Sequence, residues 1–181
     1  MGLTHPGCKK KNGIDGLISF YVYNGFMQRV IKSVKYRLAT DVFKEFCQII
    51  QPEVTKKFSF YKQLLENGFL QPVPLHSTKL KIRGFNQAAY IGNFFNTILR
   101  LPIIDSFERA KETLPQAEIR EKKDRYLNIK GAFRPKKDKK IKTTVVIIDD
   151  VITTGFTILE LTKALKKNGA QKVFALTLAR G

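Results

Sequence analysis

Residues 143–157 constrain this chain more than any other stretch. Val145-Val146-Ile147-Ile148 is apolar on consecutive positions, the pattern of a central parallel strand covered on both faces. It runs into Asp149-Asp150 and then Val151-Ile152-Thr153-Thr154-Gly155-Phe156-Thr157. Helical spacing over 157–167 stops at Asn168-Gly169, and a second apolar run follows over 172–178. Strand, helix and strand in so short a stretch form a βαβ unit, right-handed by default. The fold class is therefore α/β, with a mainly parallel central sheet.

The same stretch carries the chemistry. In open α/β sheets ligands bind beyond the carboxyl ends of strands, which is where this loop lies. Free N–H groups at a helix start carry partial positive charge and bind phosphate. Gly155 lets the backbone turn tightly and approach an oxyanion without a Cβ in the way. Thr153, Thr154 and Thr157 add hydroxyl donors at the rim. Paired acids beside a phosphate cradle repel it unless they meet hydroxyls or a hard cation, and ribose hydroxyls with Mg²⁺ satisfy both acids. A strand ending in solvated acids and a Thr N-cap explains one acid and one Thr. It does not explain both acids followed by Thr-Thr-Gly-x-Thr. The loop lacks the Gly-Lys-Ser/Thr of a Walker A motif and the Gly-x-Gly-x-x-Gly of dinucleotide binders.

The remaining chain reads more coarsely. Residues 14–23 are rich in β-branched and aromatic types and predict a strand or hairpin. Met27, Val30, Ile31 and Val34 share one helical face, and Val42, Phe43, Phe46, Ile49 and Ile50 share another. A third helix over 60–66 stops at Asn67-Gly68. Pro72 and Pro74 leave 69–75 a modest strand at best. An amphipathic helix over 85–99 and a short strand over 102–107 come next. Residues 114–126 are charged and poorly periodic, so a mobile loop or an exposed helix is expected, and 134–142 reads as a basic surface turn. The 181 residues suit one domain with a small appendage. The expected division is a basic tail over 1–13, a strand-and-helix segment over 14–70 that serves as a hood, and a core over 71–181.

Charge bears on partners. The chain has 33 Lys+Arg against 15 Asp+Glu, a net +18, which favours phosphates, nucleic acid or an anionic membrane surface. No apolar run is long enough to span a bilayer, and Met1 to Gly7 lacks the apolar core of a secretory signal. Cys8 and Cys47 cannot make a disulfide framework and fit a reducing cytoplasm. Cys47 is expected to be buried on its helix and unreactive.

The apolar run, two acids and Thr-Thr-Gly-x-Thr over 145–157 resemble the phosphoribosyl-pyrophosphate (PRPP) signature of type I phosphoribosyltransferases. That resemblance implies a Rossmann-like fold of this type. It gives Asp149 and Asp150 to the ribose, with Mg²⁺ nearby, and Val151, Ile152, Thr153, Thr154, Gly155, Phe156 and Thr157 to the 5-phosphate. A second set narrows the family. Pro72-Val73-Pro74-Leu75-His76-Ser77, Arg83-Gly84-Phe85-Asn86-Gln87-Ala88, Thr113-x-x-Gln116 and Asn128-Ile129-Lys130-Gly131-Ala132-Phe133 resemble the ComF branch of competence proteins. The Arg-Gly-Phe-Asn-Gln-Ala element is specific, whereas the others are weak alone. The branch acts in DNA uptake during natural transformation. The implied partners are PRPP, DNA (single-stranded and of low sequence specificity) and other uptake proteins such as a ComF-type helicase. The implied place is the cytoplasm, with the inner membrane face as the alternative. Many ComF proteins begin with a four-cysteine zinc module. This chain has only Cys8, with His5, before Cys47, so no zinc is expected, the module being lost or cut away.

By position, the resemblance puts Leu75, His76, Ser77 and Arg83 on the pyrophosphate side, and Arg109 and Lys111 on the flexible loop that brings cations to the leaving diphosphate. A surface-loop role for His76 weighs equally. A guanidinium fork at Arg83 suits a diphosphate. Lys79 and Lys81 read as solvated strand or loop charges, and Asn86 and Gln87 as either a helix cap or part of the site. In the basic runs, Lys136, Lys137, Lys139 and Lys140 are the DNA-binding candidates. Tyr126 and Phe133 are core residues first and base-stacking residues second. Two functional classes remain open. One is an enzyme that displaces pyrophosphate from PRPP with an acceptor the sequence does not reveal. The other is a non-catalytic DNA- or partner-binding module with a vestigial PRPP pocket.

Overall fold

The βαβ unit forms the centre of the molecule, whose computed structural model describes residues 2–3, 12–35, 40–59, 61, 63–114, 119–137, 141 and 143–181. In chain order the first elements are β1 (Gly2–Leu3), β2 (Gly16–Val22), α1 (Gly25–Lys35), α2 (Thr40–Ser59), β3 (Phe69–Pro72), α3 (Ser77–Arg83) and α4 (Gln87–Leu99). There follow β4 (Phe107–Arg109), α5 (Lys122–Ile129), β5 (Phe133–Pro135), β6 (Thr144–Ile152), α6 (Phe156–Lys167) and β7 (Lys172–Arg180). The five-stranded sheet has the order β1-β2-β7-β6-β3. Only β1 runs antiparallel to its neighbour; β2, β7, β6 and β3 are mutually parallel.

Side-chain alternation along β6 divides the interior into two layers. Val146 and Ile148 pack with α1, α2 and α4 through Met27, Ile31, Phe43 and Phe95. Val145 and Ile147 pack with α6 and β5 through Leu161, Leu165 and Phe133. Burial on both faces is why the strand reads as an unbroken apolar run rather than an alternating one.

Several elements differ from the sequence reading. The strand expected over 143–148 extends to Ile152, so Asp149 and Asp150 lie inside β6 rather than over solvent at its end, and Asp150 is 8% exposed. Backbone pairing of Val151 with Ala179 and Ile152 with Arg180 sustains this extension. The expected helix over 60–66 is only a 3-10 turn, Gln63–Leu65. The strand over 102–107 reduces to one bridge, Ile103 to Leu70, and β4 begins at Phe107. The basic turn over 134–142 begins instead inside β5, which pairs with β4 because both Phe107 and Phe133 are buried. Ile49 is 78% exposed instead of core. At 100° per residue it lies about a third of a turn from the face of Phe43, Phe46, Ile50 and Val54. Lys79 and Lys81 stand on α3, a helix the sequence reading lacks. Its exposed Leu80 and Ile82 break the amphipathic pattern.

Residues 14–70 share the core of the rest of the chain. β2 hydrogen-bonds to β7, α1 and α2 cover one sheet face, and position 70 falls within β3. Cys47 is a buried free thiol whose burial pushes its pKa up to about 12. No helix among the described residues is long and apolar enough to cross a membrane.

Candidate functional site

At the carboxyl ends of β6 and β3 lies a cavity of about 470 Å³ whose wall includes Asp149 through Ile158, Leu75, Arg83 and Arg109. The β6–α6 connection forms one side. Gly155 takes φ 75°, in the left-handed region, as the N-cap of α6. A built Cβ there would meet Ile152 Cδ1 only at ordinary contact distance, 3.4 Å, so it is the left-handed backbone that favours glycine. No side chain among the described residues caps this helix start, which leaves its first amides facing the cavity for an anion. Only Thr153 to Gly155 is loop, since Val151 and Ile152 complete the strand.

The two acids turn toward the chain that follows them. Asp149 Oδ1 accepts from the Asp150 amide at 2.9 Å, and Asp150 Oδ1 accepts from the Val151 amide at 2.7 Å. Both residues line the cavity wall. Among the described residues no three His, Cys, Asp or Glu side chains gather as a metal cage. Two hard carboxylates fit Mg²⁺ all the same, because that ion usually takes one or two protein carboxylates and fills its shell with water and substrate oxygens.

Cations supply the remaining walls. Arg83 and Lys79 both line the cavity and stand one helical turn apart on α3, which is the spacing that would have revealed Lys79 had the helix been read. Arg83 Nη1 donates to Gln87 Oε1 at 3.1 Å, and Gln87 is itself buried. Asn86 caps α4 by accepting from the Ala88 amide at 3.0 Å and donates to the Val73 carbonyl at 3.0 Å. In the Arg-Gly-Phe-Asn-Gln-Ala element, Asn86 thus caps α4 and Gln87 holds Arg83 at the cavity wall. Arg109 on β4 lies 5.7 Å from the Phe133 ring, and burial lowers its pKa against the opposing charge of Asp149. Arg125 on α5, which the sequence reading passed over, also lines the cavity and donates to the Ile119 carbonyl at 2.7 Å.

Other candidates lie elsewhere. His76 N-caps α3, its Nδ1 accepting from the Thr78 amide at 3.4 Å, and Ser77 opens that helix; neither lines the cavity. Lys111 also lies off the wall, donating to the Leu127 carbonyl at 3.3 Å. Lys136 is paired with Asp105, and Lys137 is exposed. Phe133 is 7% exposed, and Tyr126 packs edge-on against Phe156 at 5.7 Å. Cys8, Gln116, Lys139 and Lys140 lie outside the described residues.

Comparison with known proteins agrees with this geometry. The phosphoribosyl transferase domain family matches residues 93–181. The chain is 36% identical over 112 residues to Competence protein F of Haemophilus influenzae, covering 60% of this chain and 48% of that protein. It is 27% identical over 164 residues to Competence protein ComFC of Bacillus subtilis, covering 90% of this chain and 63% of that protein. It thus spans 48% and 63% of the lengths of these relatives. With a mainly parallel sheet of the type I phosphoribosyltransferase fold and relatives of this kind, the chain is phosphoribosyltransferase-like and similar to ComF-type competence proteins.

Proposed function

We propose that the cavity binds PRPP together with Mg²⁺ and that the protein serves DNA uptake during natural transformation. One observation carries the reading: an uncapped helix start, two carboxylates and the cations Lys79, Arg83, Arg109 and Arg125 wall the same cavity. PRPP has a matching layout, with a phosphate at one end, hydroxyls in the middle and a diphosphate at the other end. The α6 amides and Thr153, Thr154 and Thr157 hold the 5-phosphate, and Asp149 and Asp150 accept from the ribose hydroxyls. The same acids would hold Mg²⁺, which when bound offsets diphosphate charge. Arg83 and Arg109 steady that diphosphate as it leaves, so positioning and charge neutralisation carry the barrier. The net charge of +18 supports a nucleic-acid partner. The relatives' names tie the chain to competence, and a ComF-type helicase is the proposed protein partner.

Isothermal titration with PRPP and Mg²⁺, then pyrophosphate release over a nucleobase panel, tests this. Saturable binding is expected, and its absence refutes the site. Release with any acceptor makes the chain a transferase; binding with no release from the whole panel makes it a binding module.

A further inference from the structure

We propose that Thr113 is a positioning residue for the diphosphate end of the cavity, holding Arg109 through a neutral oxygen so that its charge stays available to ligand. The inference rests on the polyphosphate reading above. Thr113 is 4% exposed and lies in the connection between β4 and α5. Its two oxygens take cations from two different elements. The carbonyl accepts from Lys79 Nζ of α3 at 2.7 Å, and the hydroxyl accepts from Arg109 Nη2 of β4. The adjoining peptide is pinned as well. The Asn128 carboxamide of α5 accepts from the Leu114 amide at 3.1 Å and donates to the Leu114 carbonyl at 3.0 Å. Thr113 therefore cannot shift without loosening Leu114, and Leu114 lines the cavity.

The chemistry of this node favours an incoming anion. A carboxylate in place of the hydroxyl would bind Arg109 more tightly and cancel its charge. A hydroxyl fixes the guanidinium and leaves that charge in place. Among the described residues Arg109 Nε is buried without a hydrogen-bond partner, an arrangement that costs free energy until an acceptor arrives.

The test separates the two ends of the cavity. Titrations of the full chain use PRPP with Mg²⁺, inorganic pyrophosphate, and ribose 5-phosphate. Thr113→Val keeps the shape and the carbonyl that holds Lys79 but removes the hydroxyl. PRPP and pyrophosphate affinity should fall about tenfold, the scale of one hydrogen bond to a charged group. Ribose 5-phosphate affinity should stay at its wild-type value, and Thr113→Ser should restore binding of the other two ligands. Equal losses for all three ligands, or no loss, overturn the proposal. Should Thr113→Val fail to fold by circular dichroism, Asn128→Asp serves instead. It keeps the acceptor for the Leu114 amide, removes the donor to its carbonyl, and must show the same end-selective loss. A wild type that binds PRPP, beside a Thr113→Val variant that binds it equally well, overturns this inference alone; a wild type that binds ribose 5-phosphate but neither diphosphate ligand overturns the PRPP site as well. A wild type that binds none of the three overturns the site reading too.

Discussion

The acids of β6 differ in surroundings, and their variants should differ with them. Asp150 is 8% exposed and Asp149 half-buried, and each accepts from the next backbone amide. An Asn oxygen keeps that acceptor but loses the negative charge, so Asp149→Asn plus Asp150→Asn should abolish PRPP binding at native-like circular dichroism. Retained affinity would remove the ribose assignment. At Gly155, φ of 75° admits a β-branched side chain only with strain. Gly155→Val should therefore lose roughly 1–3 kcal/mol of stability. Thr153→Ala removes one hydroxyl, about 0.5–1.5 kcal/mol of ligand binding, or up to about 3 if that hydroxyl meets a charge. A PRPP titration should rank the glycine variant as the weaker binder. The opposite order would show that the backbone is not the cradle.

Between elements, a largely buried ion pair ties the end of α6 to the start of β2. Asp15 Oδ2 accepts from Lys166 Nζ at 2.9 Å and from the Val173 amide at 2.9 Å, with side chains 10% and 11% exposed. Asp15→Ala strands both a cation and an amide and should cost about 2–4 kcal/mol. Lys166→Met leaves the amide bonded and should cost less. Urea unfolding with an unchanged m-value measures both, and equal losses would place the whole effect in the charge. The β4–β5 pair depends on different physics. Its ion pairs, Arg134 to Glu108 and Lys136 to Asp105, are largely solvent-exposed and contribute little. Phe107 and Phe133, at 0% and 7% exposure, supply the burial that keeps these short strands together.

Across the whole molecule, +18 should give nucleic-acid binding that weakens steeply with salt. Replacing Lys136, Lys137, Lys139 and Lys140 with Gln should make the log–log slope shallower by up to roughly 3 units, at about 0.7–0.9 for each phosphate no longer neutralised. Lys136 should contribute least, since Asp105 already pairs with it. PRPP affinity should hold, because screening within about 10 Å isolates a distant surface charge. An unchanged slope would return the run to an ordinary solvated face. Residue order alone settles the βαβ unit and, Ile49 apart, the buried helical faces around Met27 and Phe43, because local periodicity records which side of an element is buried. Where polar groups meet across the chain is settled by packing instead. Gln71 accepts from the Ser106 amide at 3.0 Å and from its hydroxyl at 2.7 Å, and neither residue's neighbours predict that buried bond. Arg109 enters the site through the pairing of two three-residue strands that lie far apart in sequence. Lys79 enters through a helix whose exposed Leu80 and Ile82 hide its period. Such meetings depend on the partner surface each residue faces after folding, and residue order carries no periodic trace of them.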